Sequence, residues 1–324
     1  MNNAQYDEFK LPLLPYGEMT DGLQGHLTNF PEVPPDFDFG AYADEAARLA
    51  SWLKWRSETI GLIAHNLWPT WIPQSEDWQG ASKDKMTALT KTDIHLTIKL
   101  WHSMLKVKPV TPSPSADCPQ HIKFYRQEDD GDWFEFYTHY DTVLDPKILH
   151  LLREVYDTRA FDKCSSAHLQ FKVPFQRPRP FHAAFLVKIS GLRPLRAISS
   201  GSPSLCSGHA LQALLGIGAM VEHVVLNKID IHPSSHLALR QLAVDIGDRR
   251  VFAGVHYPSD NIASWIIAMR LANRVFRTEK VKQWLWTAIL KQSKVYDTVQ
   301  ADDVYKPALS VLKDSVAGVV PLEE

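Results

Sequence analysis

Apolar residues recur at three- and four-residue steps over most of this chain, and that period predicts helices. Between about Tyr42 and Trp68 the stripe is Leu49, Trp52, Leu53, Ile60 and Ile63. From Lys91 to Leu105 it is Ile94, Ile98, Trp101 and Leu105. After Asp145 the pattern predicts helices near 145–157, 160–171, 207–226, 234–247, 258–276, 279–293 and 302–315. Pro258 suits the first position of its helix, where no amide hydrogen is needed.

Two kinds of segment break the period. Residues 1–40 carry Pro12, Pro15, Pro31, Pro34 and Pro35 among aromatics and read as an extended arm. The prolines between Lys108 and Pro119 exclude a helix and predict a loop. Beyond it, two aromatic runs flank Asp130-Gly131, which predicts a β-hairpin near 121–138. The expected architecture is therefore mainly α. A single helical domain over 41–324 carries a small β-hairpin insertion and follows an N-terminal arm.

Bulk composition narrows the function classes. With 324 residues, 45% hydrophobic and 22% charged, the chain can bury a core without staples. A formal charge of −2 offers no basic field, so nucleic acid is not an expected partner. Cys118, Cys164 and Cys206 form no CxxC pair, which argues against a zinc knuckle or a disulfide framework. The first residues lack a basic segment followed by an apolar run, so no signal peptide is read. The longest apolar stretch, roughly Ala210 to Val221, falls short of the about 20 residues a bilayer span needs. The expectation is a soluble, cytoplasmic protein, with the apolar arm packing on a second copy to give a homodimer.

Candidate chemistry is concentrated between Lys172 and Asp260. Ser207 precedes the apolar run Ala210, Leu211, Ala213, Leu214 and Leu215, as a helix N-cap would. The amides of such a first turn favour an anion, Gly208 permits close approach, and His209 would sit beside it as a proton donor. The same residues, taken alone, also fit a plain capped helix with a buried histidine. Asp260 falls in the first turn of the helix that Pro258 starts. From there it can orient the imidazole of His256, or simply cap the helix. Lys172, Arg179 and Arg250 add positive charge suited to phosphate-like oxygens, though each alone could be solvated surface charge. His232 and His236 share an HxxxH spacing without an evident third ligand and read as structural or surface residues.

Taken together, these segments resemble the signature of one superfamily. Its members are type 2 phosphatidic acid phosphatases, bacterial class A acid phosphatases and vanadium haloperoxidases. The signature runs Lys-x6-Arg-Pro, Pro-Ser-Gly-His, then Ser-Arg-x5-His-x3-Asp. Lys172 and Arg179-Pro180 match the first part, Ser207, Gly208 and His209 the second, and Arg250, His256 and Asp260 the third. Cys206 stands where proline is usual, and Arg249 where serine is usual.

The resemblance implies a helical bundle with the anion site between core helices. It implies His256 as nucleophile, Asp260 as its orienting carboxylate and His209 as acid–base. Lys172, Arg179, Arg250 and the amides near Ser207 and Gly208 would form the oxyanion clamp. The expected activity is hydrolysis of a small phosphate monoester or diphosphate through a phosphohistidine, with no cofactor. The alternative is a haloperoxidase acting on halide plus peroxide. There the pocket would hold vanadate, with His256 as the axial metal ligand and His209 assisting peroxide. A non-catalytic phosphate-binding or assembly protein is the third reading. The chain is short for a haloperoxidase and has no tryptophan in the first motif, where Phe175 reads as aromatic wall. Both points favour the phosphatase.

Overall fold

The computed structural model describes residues 45–67, 88–106, 148, 150, 168, 170–172, 175, 177–186, 189–192, 203–319, 321 and 322. The arm over 1–40 and the hairpin near 121–138 lie outside them. The described elements are helical, with no strand among them, in line with the mainly-α expectation. They are α1 (Glu45–Leu67), α2 (Ala88–Lys106), α3 (Pro180–Leu186), α4 (Gly208–Leu226), α5 (Pro233–Phe252), α6 (Pro258–Val275), α7 (Glu279–Gln292) and α8 (Lys294–Val299). A 3₁₀ turn (Asp303–Tyr305) then leads into α9 (Lys306–Ser315).

The central element is α6. Every residue from Pro258 to Met269 is buried, so it is wrapped on all sides and not amphipathic. It packs against α4 on one side and α9 on another, with α1, α2 and α7 completing the surround. A second layer forms where α4 lies on α5 and both meet α7.

On α1, the positions Trp52, Trp55, Thr59, Ile63 and Leu67 are buried, a helical stripe facing this core. Trp52 stacks on Trp55 at 5.3 Å between centroids, and both meet the edge of Phe171. The Trp52 indole Nε1 donates to Gln170 Oε1 at 2.8 Å, satisfying a buried polar pair. Lys172 follows directly, so this aromatic clamp fixes the chain that carries it.

Several boundaries differ from the periodic reading. Helix α5 runs to Phe252, past the predicted end at 247, because the polar run Asp248-Arg249-Arg250 is buried instead of solvated. Asp248 accepts bonds from Ser293 Oγ, Lys294 N, Val295 N and Asn261 Nδ2, and so ties α5 to the start of α8 and to α6. On α2 the buried face includes Leu89, Thr90, Asp93, Ile94, Thr97 and Trp101, while Ile98 is only half-buried. The stripe is rotated from the apolar one because Asp93 has buried partners.

Helix α4 also continues through Glu222 and His223. It is thereby long and apolar enough to cross a membrane by length and composition, contrary to the shorter run read from the sequence. In the fold 61% of its apolar window is buried within the chain, as in a core helix.

Where α4 crosses α5, Gly247 faces Ala210. A Cβ on Gly247 would lie 2.5 Å from Ala210 Cβ and 2.8 Å from its Cα. Backbone cannot yield as a flexible side chain does. Gly247→Ala is therefore expected to destabilise the protein by about 1–3 kcal/mol, despite alanine's better helix propensity. Denaturant unfolding checks this, and an unchanged or raised midpoint would contradict the close crossing.

Candidate active site

Three short segments converge on the start of α6. The first enters through Lys172, a buried residue whose Nζ donates to the carbonyl of Pro203. Burial, and next the charge of Arg179, lower its ammonium to about 7. The loop it grips, 203–207, leads into α4. Ser204 N donates to Arg177 O at 2.8 Å, so the first and second segments are joined through backbone as well.

Ser207 is the N-cap of α4, with its Oγ accepting from Ala210 N at 3.3 Å. Its carbonyl accepts from Ser264 Oγ of α6 at 2.9 Å. The glycine that follows is required by a close neighbour: a Cβ at Gly208 would lie 2.7 Å from the His168 ring. His209, the second residue of α4, is half-buried.

The third segment is the link from α5 to α6. Arg250, fully buried in the last turn of α5, accepts at its carbonyl from the amides of Val255 and His256, each at 3.2 Å. Gly254, at φ 79, supplies the left-handed residue this tight return needs. His256 is thereby held at the mouth of α6, 2% exposed.

Asp260 performs both tasks read from the sequence at once. Its Oδ2 accepts from Tyr257 N at 3.0 Å, capping α6, and bonds His256 Nδ1 at 3.0 Å. The hydroxyl of Ser204 donates to the same oxygen. Burial pushes the carboxyl up, but the adjacent Arg177 guanidinium and these donors outweigh it and hold Asp260 well below the usual carboxylate range.

On the other face of the imidazole, His256 Nε2 lies 2.8 Å from Arg179 NH1, which also donates to Val255 O at 2.8 Å. A guanidinium is only a donor, so Nε2 is the acceptor and Nδ1 carries the proton toward Asp260. Burial, then the charge of Arg179, drive the imidazolium form well down despite Asp260. The side chain is therefore a neutral imidazole with its lone pair at Nε2.

Lys172, Arg179, Asp260 and His256 thus share one electrostatic neighbourhood. Arg250 is joined to it through its carbonyl, and Ser207, Gly208 and His209 through the start of α4. Cys206, in place of the usual proline, is a buried thiol that burial pushes up to about 11, unsuited to nucleophilic chemistry. Phe175 is buried in the core, consistent with an aromatic wall.

The sequence reading missed a second layer. Arg177 NH1 donates to Asp260 Oδ1 and Ser259 Oγ, each at 2.7 Å, and NH2 donates to Asp93 Oδ2 at 2.8 Å. Its guanidinium also lies 3.9 Å over the Tyr257 ring. Asp93 in turn accepts from Ser259 N at 3.2 Å, from Ser259 Oγ, and from Tyr305 OH at 2.7 Å. One signal was available in the sequence: an aspartate three residues after Thr90 and four before Thr97, inside a helix stripe that otherwise faces the core.

Compared with curated proteins, the chain has no match. Residues 161–284, which contain all three segments, match the model of the PAP2 superfamily, and the match points to phosphatase-type chemistry.

Proposed function

We propose that this protein is a phosphatase that hydrolyses small phosphate monoesters or diphosphates through a phosphohistidine on His256, with no metal required. The observation that carries this reading is the state of that imidazole. Its Nδ1–H is held by Asp260, and its Nε2 lone pair faces the Arg179 guanidinium. A phosphoryl oxygen drawn to Arg179 would bring phosphorus within reach of Nε2.

In the first step Nε2 attacks phosphorus in line, an N–P bond forms, and the P–O bond to the leaving group breaks. His209 gives a proton to the leaving oxygen. In the second step His209 takes a proton from water, the water oxygen attacks phosphorus, and the N–P bond breaks to release phosphate. Asp260 stabilises the positive charge that develops on the imidazole in the first step and is lost in the second. Lys172, Arg179, Arg250 and the first-turn amides of α4 offset the charge spread over the equatorial oxygens.

Turnover of p-nitrophenyl phosphate that persists in EDTA and is inhibited by vanadate is the expected result. Acid quenching of a turnover mixture should trap phosphohistidine on His256. No turnover on a broad ester panel, together with halogenation of a diketone after vanadate, halide and peroxide are supplied, would overturn the reading in favour of a haloperoxidase. Tight phosphate binding with neither activity would make the protein a binding module. Light scattering with and without residues 1–40 tests the proposed homodimer.

The Lys172 ammonium sets an expected pH dependence. It is charged below about 7 and neutral above it in the ligand-free site. A bound dianion favours the charged form, so binding above that pH takes up a proton. Inhibition by sulfate, which does not titrate in this range, should weaken about tenfold per pH unit above 7. Lys172→Met should flatten the profile, and a flat profile in the wild type would exclude this role for Lys172.

A further inference from the structure

We propose that Arg177 is a positioning residue of this site: paired with Asp93 of α2, it locks Asp260 and so keeps His256 as the neutral imidazole with its Nε2 lone pair available. The inference rests on reading His256 as the nucleophile. Its two anchors, Asp93 and Tyr305, lie outside residues 161–284, so the site is completed by chain on both sides of the matched segment.

The geometry divides the donors between the two carboxylate oxygens. At Asp260, Oδ2 is saturated by Tyr257 N, His256 Nδ1 and Ser204 Oγ, and Oδ1 faces Arg177. Rotation of this carboxylate would break contacts on both oxygens, so the imidazole it holds cannot turn. The guanidinium itself is held on its far side by Asp93, whose other oxygen is taken by Tyr305 OH and Ser259 N. The chain of contacts Tyr305–Asp93–Arg177–Asp260–His256 runs from the 3₁₀ turn through α2 to α6. Its members are all at most 2% exposed.

The charge on Arg177 has a second effect. An isolated buried carboxylate beside a histidine stabilises the imidazolium and would hold a proton on both ring nitrogens. Arg177 shares the Asp260 charge and weakens that pull. The other groups facing His256 and Asp260 are Arg179 and Lys172, both cationic, and the thiol of Cys206, which couples to Lys172 and Asp260. Arg179 and Lys172 act in the same direction as Arg177, which pairs directly with Asp260 Oδ1 at 2.7 Å.

The test is a ¹H–¹⁵N titration of the imidazoles in full-length protein labelled at histidine, with the His256 signals assigned by their loss in His256→Ala. Wild type should keep the Nδ1–H tautomer, neutral through the mildly acidic range. Arg177→Gln should raise the His256 midpoint by about 1 pH unit or more. The acidic limb of kcat/KM should move with it. Arg177→Lys keeps the charge and should leave the midpoint near that of wild type. Arg177→Gln alone strands Asp93 and can fail to fold, so the double variant Arg177→Gln/Asp93→Asn, which removes the Asp93 charge together with its partner, is measured beside it and should show the same rise.

An unmoved midpoint in either glutamine variant that folds would overturn the proposal. So would equal rises in Arg177→Lys and Arg177→Gln, because packing and not charge would then be responsible. The imidazole titration needs no substrate. A wild type that turns over no phosphate ester would sink the phosphatase reading while leaving this result intact.

Discussion

His256→Ala is expected to lower kcat/KM toward p-nitrophenyl phosphate by about 10⁴-fold or more, the scale on which loss of a covalent nucleophile acts. The residue is buried, its Nδ1 is bonded to Asp260 and its Nε2 faces Arg179. His182 is also buried and lies near Arg179, but burial and that charge lower it to about 3 and its ring meets the edge of Phe181. The folded state should survive the substitution, because the lost hydrogen bonds cost only about 1–3 kcal/mol. Steady-state kinetics beside a thermal melt separates the two effects. Full activity in a folded variant would remove His256 from the mechanism.

The second large effect is expected at Asp260→Asn, and it has two parts. Whichever way the amide turns, its NH₂ meets a donor: His256, Tyr257 and Ser204 on one side, Arg177 on the other. With NH₂ toward His256, the imidazole must shift its proton to Nε2. There the N–H opposes the Arg179 guanidinium and the nucleophilic lone pair is gone. The catalytic loss should be about 10⁴-fold, as for other carboxylates that fix a histidine tautomer. The structural loss should be about 3–5 kcal/mol, because Arg177 remains buried with half its counter-charge removed. If Asp260 only capped α6, stability would fall by about 1 kcal/mol and kcat/KM would hold. Denaturant midpoints and kinetics on one preparation decide between these outcomes.

Much of the site was legible because its parts are close in sequence. The Arg250–His256–Asp260 unit is built from a helix end, a turn at Gly254 and one helical turn of α6. Its contacts span six residues or fewer. Ser207 reads as an N-cap because that role depends on the amide three residues ahead. Arg179 reads as non-helical because prolines flank it, and α3 does begin at Pro180. The length of α5 was less legible, and the short helix α8 was not read from the sequence. The polar run Asp248-Arg249-Arg250 has the composition of a helix end, and only its burial beside Ser293 and Lys294 keeps the helix going.

By itself, the sequence determined the helical period, the three segments and their order, and the placing of His256 and Asp260 within one helical turn of each other. These follow from the fixed geometry of turns and helices, which relates residues a few positions apart. Only the tertiary structure decided which charges meet. Asp93 lies 84 residues from Arg177, Tyr305 lies 212 from Asp93, and Ser204 lies 56 from Asp260. No periodicity encodes such distances. They are set by the packing of α2, α4 and the C-terminal turn around α6. A buried charge there requires a partner, and the fold must bring one from wherever in the chain it lies.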